Sequence, residues 1–92
     1  MKRERVVLTG RVQGVGFRET VLAIARRFAV AGDVRNERDG RRLTIDVEGE
    51  PEIVDAFVLA VLAEPPPYAR VDFVQKTQAT PRGAVGFRRE AT

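Results

Sequence analysis

The chain contains no cysteine, no histidine and no tryptophan. The first absence excludes disulfides, a thiolate nucleophile and a Cys-ligated zinc. The second removes the side chain that most often serves as a general base near neutral pH, and the commonest metal ligand. No apolar run is long enough to cross a bilayer. The N-terminal MKRERVV lacks the apolar segment and small-residue cleavage site of a secretory signal. A cytoplasmic location with no membrane partner is the default expectation. Internal repeats are absent as well.

Within these bounds, 92 residues suffice for one modest core and predict a single domain over 1–92. Apolar residues make up 43% and charged residues 32%, a globular rather than disordered balance. The 16 Lys and Arg against 13 Asp and Glu leave a net charge of +3. That excess favours an anionic partner but is too small to argue nucleic acid.

Hydrophobic periodicity divides the chain into alternating strand and helix signals. Val6, Leu8, Gly10 and Val12 share one face of a strand over 6–12. Val21, Leu22, Ala25, Phe28 and Ala29 form a helical stripe over 19–30, with Gly32 as its stop. A short extended piece over 34–37 leads to an Asp39-Gly40 turn. Leu43, Ile45 and Val47 alternate with polar residues, and Gly49 closes that strand. Pro51 suits the first turn of a second helix. Its buried stripe is Ile53, Phe57, Ala60 and Val61, with Val54 and Val58 at the margin. Glu64 to Pro67 end it, since three prolines in a row cannot continue a helix. Ala69, Val71 and Phe73 alternate as another strand, 77–83 reads as a loop, and Val85 and Phe87 begin a short last strand. The predicted fold is therefore α+β: a ferredoxin-like βαββαβ sandwich with a mostly antiparallel sheet, two helices on one face, and a short fifth strand.

The chemistry concentrates in LTGRVQGVGFR, Leu8 to Arg18, where a strand signal passes through a five-residue loop, Gln13 to Phe17, into a helix signal. Glycine lets backbone amides turn inward where a Cβ would clash. Several N–H groups converging before a helix N-terminus form an anion nest, a role that Gly14 and Gly16 fit. Arg18 at the loop exit adds a planar fork of donors suited to phosphate oxygens. A cation is disfavoured by the helix dipole at that position, which strengthens the case for an anion beside it. Val15 and Phe17 have no side-chain donors and anchor the loop. The stretch lacks the Lys-Ser/Thr end of a P-loop and is not the longer dinucleotide fingerprint. Taken on physics alone, an ordinary glycine turn explains it equally well, and Asn36, three residues before Asp39-Gly40, reads as a turn-shaping residue.

LTGRVQGVGFR resembles the first signature of the acylphosphatase family, and GDVRNERDG, Gly32 to Gly40, followed by a strand ending in Glu48-Gly49, resembles a second family segment. The order of elements is similar to that family's small ferredoxin-like domain over nearly the whole chain. The resemblance implies hydrolysis of a small acyl phosphate to carboxylate and inorganic phosphate, with neither metal nor cofactor. It makes Arg18 the phosphate-binding arginine. The N–H groups of Gln13, Gly14, Val15, Gly16 and Phe17 complete the cradle, and Asn36 orients the attacking water. An amide is not basic, but its oxygen can hold water. The carboxylate leaving group is weakly basic, so positioning and charge stabilisation suffice.

Three departures from the family pattern bear on rate. Asp33 stands where a bulky side chain is usual, and weakens anion binding if it faces the site. Glu19 replaces an aromatic and is placed to engage Arg18. The 39–43 turn is one residue longer, which a bulge can absorb. A weak or inactive acylphosphatase-like domain that binds anions or nucleic acid is the alternative reading. RNA binding on such a sheet needs exposed aromatics, and among the phenylalanines only Phe73 and Phe87 are candidates. A monomer without a nucleic-acid partner is the expectation.

Overall fold

The alternation in the first strand is set by its neighbours as much as by its own residues. The computed structural model, which describes residues 1–91, runs β1 (Lys2–Arg11), α1 (Phe17–Ala25), β2 (Ala31–Asn36), β3 (Arg42–Gly49), α2 (Pro51–Ala63), β4 (Arg70–Ala79) and β5 (Phe87–Arg89). The strands form one sheet in the order β4-β1-β3-β2-β5. All neighbours are antiparallel except β2 and β5. With both helices on one face, this is the ferredoxin-like sandwich expected from the sequence. Val6 and Leu8 of β1 meet Leu43, Ile45 and Val47 of β3 under Val21 and Ile24 of α1 and Val54, Phe57 and Val61 of α2, all at 3% exposure or less. Phe57 is the hinge pin of that core. Its ring meets Phe28 edge-on at 6.0 Å and Phe87 at 5.5 Å.

Several local readings are corrected. The first helix begins at Phe17 rather than residue 19, and ends at Ala25 rather than at 30. After Ala25 the chain tightens: the N–H groups of Arg27 and Phe28 donate to the carbonyls three residues back, at 2.9 and 3.2 Å. The tighter winding carries Phe28 onto Phe57. Gly32 does not stop a helix. It lies inside β2 at φ +141°, and a Cβ there would sit 1.8 Å from the Asp46 carbonyl oxygen. In α2, Val54 and Val58 are core residues, while Ile53 and Ala60 are only half-buried. Thr77 to Ala79, read as loop, extend β4 in register with β1.

The alternation of Val71 and Phe73 fails for a definite reason. The β1–β4 register shifts at Thr9/Gly10, so Val71 lies opposite Gly10, Phe73 opposite Thr9, and Asp72 is the extra residue. A bulge reverses which residues face which side. Val71 and Val74 therefore share the helix side, and Phe73 turns out on the other face at 74% exposure. The β2–β3 turn behaves differently. Its ladder is unbroken through Asn36↔Leu43, the Glu37 N–H donates to the Arg42 carbonyl at 2.9 Å, and Asp39 accepts the N–H groups of Arg41 and Arg42. These bonds close the hairpin tip without a bulge in the β2–β3 ladder.

The face of the sheet away from the helices carries ion pairs of both signs. Arg3 grips Asp46 with two donors at 2.9 Å each. This fork holds the Asp46 carboxyl below its ordinary value. Glu48 accepts the N–H groups of Arg82, Gly83 and Ala84, which hold it low in the same way. The 80–86 segment is thereby pinned across this face on its way from β4 to β5.

Candidate active site

The loop between β1 and α1 is shaped by three anchors. Val12 and Phe17 are buried at its ends, at 1% and 2% exposure, and Val15 rests half-buried against the core. Gly14 (φ +73°) and Gly16 (φ +79°, ψ 21°) provide the left-handed turns between them. A Cβ at either position would meet nothing within 4 Å. Glycine is needed there for its backbone conformation, not for space. The Thr20 N–H and hydroxyl both donate to the Gly16 carbonyl at 3.1 Å, which fixes the helix start. No hydrogen bond among the described residues occupies the N–H groups of Gly14 to Phe17. With the first-turn donors of α1, they form a cluster of free donors.

Gln13 connects this loop to the rest of the site. Its side-chain amide donates to the Glu37 carbonyl at 2.6 Å and the Arg42 carbonyl at 3.0 Å, the two residues that close the β2–β3 hairpin. The loop is thus tied to the strand end that carries Asn36. Asn36 lies two residues from buried Val34, so both face the helix side. Its Oδ1 is buried with no hydrogen-bond partner among the described residues, and leaving such an acceptor unpaired costs about 1–3 kcal/mol.

Gly14, Gly16, Phe17, Arg18 and Asn36 line one cavity of about 150 Å³. The structure therefore brings together most of the residues expected from the sequence. The side chains of Gln13 and Val15 lie outside that lining. Three lining residues were not among the expected site: Val12, Glu19 and Arg89. Glu19 forms an ion pair with Arg89 of β5 rather than with Arg18. Arg18, half-buried, reaches to 3.5 Å from the Glu90 carbonyl, and the Glu90 N–H donates to the Val34 carbonyl at 2.9 Å. Arg89 lies two residues beyond Phe87, whose ring packs on Phe57, so both are on the helix side; a strand of three residues gives little sequence signal for it. Asp33 is on the opposite face from Asn36, 8% exposed and paired with Arg35 and Arg82. It opposes no anion in the cavity.

The residues around the cavity carry converging amide donors, the Arg18 guanidinium, the Arg89 guanidinium paired with the Glu19 carboxylate, and the Asn36 amide, on a scale suited to a phosphoryl group. Among the described residues no three His, Cys, Asp or Glu side chains are grouped to hold a metal ion. No helix is long and apolar enough to cross a membrane. A sequence profile of acylphosphatases matches residues 4–89. The chain belongs to the acylphosphatase family. It is similar to the acylphosphatase of Anaeromyxobacter dehalogenans, 46% identical over 84 residues that cover 91% of this chain and 88% of the relative. The acylphosphatase of Acidiphilium cryptum is 41% identical across 100% of this chain and 99% of its own. The crystal structure of acylphosphatase from Bacillus subtilis superposes with a TM-score of 0.91 at 35% identity, covering 98% of this chain and 99% of that one. As an acylphosphatase, the protein is a hydrolase that splits small acyl phosphates.

Proposed function

We propose that the Gly14–Arg18 cradle binds the phosphoryl group and that Asn36 positions the water that attacks it. Arg18 and the N–H groups of residues 13–17 donate to the phosphoryl oxygens. The Asn36 Oδ1 accepts a hydrogen bond from the water and directs its oxygen at phosphorus. As that oxygen bonds to phosphorus, the bond from phosphorus to the acyl oxygen breaks and its electron pair leaves with the carboxylate. The water's proton passes to a phosphoryl oxygen. Arg18 and the aligned N–H groups stabilise the charge spread over those oxygens at the transition state. The observation that carries the reading is the orphaned Oδ1 of Asn36, on a residue that lines the same cavity as Arg18 and the loop glycines.

The same reading takes a monomer without nucleic acid as the working form. All the groups it uses come from one copy. Among the described residues the strongly exposed aromatics are Tyr68 and Phe73, and the open face of the sheet carries paired charges of both signs rather than a basic stripe.

The test is hydrolysis of benzoyl phosphate with a chelator present, background subtracted, for wild type, Arg18→Ala and Asn36→Ala. Arg18→Ala is expected to lose inhibition by inorganic phosphate and about 100-fold or more in kcat/KM. Asn36→Ala is expected to lower kcat while inhibition by phosphate persists. Ordinary rates in both folded variants would overturn the assignment.

A further inference from the structure

A second cavity, of about 310 Å³, lies beside the first, between α1 and β5. Leu22, Ala25, Val30 and Phe87 give it an apolar lining, and Arg26, Arg88 and Arg89 contribute guanidinium groups. Arg89 belongs to both linings, so one side chain separates the two spaces. The cavities also share a helix face. Arg18, Leu22 and Arg26 succeed one another at intervals of four along α1, a continuous stripe that faces β5. Arg26 lies about 12 Å further along the helix axis than Arg18.

We propose that this second cavity is the acyl subsite, and that it takes an acyl group with an apolar body ending in an anion. The proposal rests on the phosphate-cradle reading above. A phosphoryl group seated at Gly14–Arg18 fills a cavity of only about 150 Å³, so the acyl group must leave it. The way past Arg89 leads into a larger space with hydrocarbon from Leu22, Ala25, Val30 and Phe87, and with guanidinium groups from Arg88 on the strand and Arg26 at the helix end. The charges there do not cancel. Arg88 is paired with Glu90 at 2.6 Å and Arg89 with Glu19. Arg26 is exposed at the helix end and has no carboxylate partner among the described residues. An anion at the end of the acyl group would meet Arg26 without first displacing a carboxylate.

The experiment compares benzoyl phosphate with 4-carboxybenzoyl phosphate, whose para carboxylate cannot cyclise onto the acyl carbon. The readout is the ratio of their kcat/KM values, each corrected for uncatalysed hydrolysis. A ratio is insensitive to losses that affect both substrates. Wild type is expected to prefer the carboxylated substrate by about two- to five-fold, the scale of one partly exposed charge pair. Arg26→Gln is expected to abolish the preference and Arg26→Glu to reverse it. Turnover of both substrates with a ratio indifferent to Arg26 would overturn the subsite alone. No turnover of either, together with no inhibition by inorganic phosphate, would overturn the cradle and the subsite with it.

Discussion

Replacing Gly16 by alanine separates the two demands on the glycine loop proposed to bind phosphate. The residue sits at φ +79°, ψ 21°, and an added Cβ touches nothing within 4 Å. Any penalty is therefore conformational. An L-residue in the left-handed region costs about 1–2 kcal/mol, partly offset by the roughly 0.4–1 kcal/mol by which alanine restricts the unfolded chain. The net is about 1 kcal/mol, or a melting temperature lower by about 4–8 °C for a domain of this size. The loop can instead relieve the strain by rotating, but then the N–H groups no longer converge and phosphate binding weakens. Urea denaturation and inhibition of benzoyl phosphate hydrolysis by inorganic phosphate measure the two outcomes separately. At least one must change, and Gly16→Asn, which tolerates the left-handed region better, should recover part of the loss. A Gly16→Ala variant with wild-type midpoint and wild-type phosphate inhibition would refute the argument that this backbone conformation builds the cradle.

Gly32→Ala is expected to be far worse, about 3 kcal/mol or more by chemical denaturation, because its Cβ would collide with backbone in β3 rather than face open space. Asp46 is held below its ordinary value by Arg3, so its contribution to stability is complete above the unfolded carboxylate value near about pH 4 and is lost as pH falls toward the folded value. Urea midpoints measured from pH 7 downward should show that loss, and Asp46→Asn should flatten it while lowering stability at neutral pH. Phe73→Thr should stay within about 0.5 kcal/mol of wild type in the same assay, since the ring is 74% exposed.

The parts of this molecule that were legible in its sequence depend on short-range pattern. Alternation located β1 and β3, the glycines and Arg18 located the loop, and the GDVRNERDG segment singled out Asn36. Other features depend on partners distant in the chain. The parity reversal at Phe73 comes from a bulge opposite Thr9 and Gly10, which alternation within β4 alone cannot reveal. Gly32 carries the same signal as a helix-stopping glycine, yet its cause is the close approach of Asp46 from the neighbouring strand. Arg89 enters the site because β5 pairs parallel to β2, and three residues of strand carry little pattern of their own. Glu19 was expected near Arg18, but β5 supplies a second arginine that takes it.

The wall formed by β5 also sets an order of events in the cell. Glu19 and Arg89 are 70 positions apart, and synthesis delivers the N-terminal portion first. The glycine loop and Arg18 exist on the nascent chain long before the strand that flanks them, and β5 can pair only after β2 is in place. Until then Glu19 has no cation from β5 beside it, and Arg18 has no Glu90 carbonyl to lean on. The enclosed site thus cannot form until β5, the last of the seven elements in chain order, has been made and has paired.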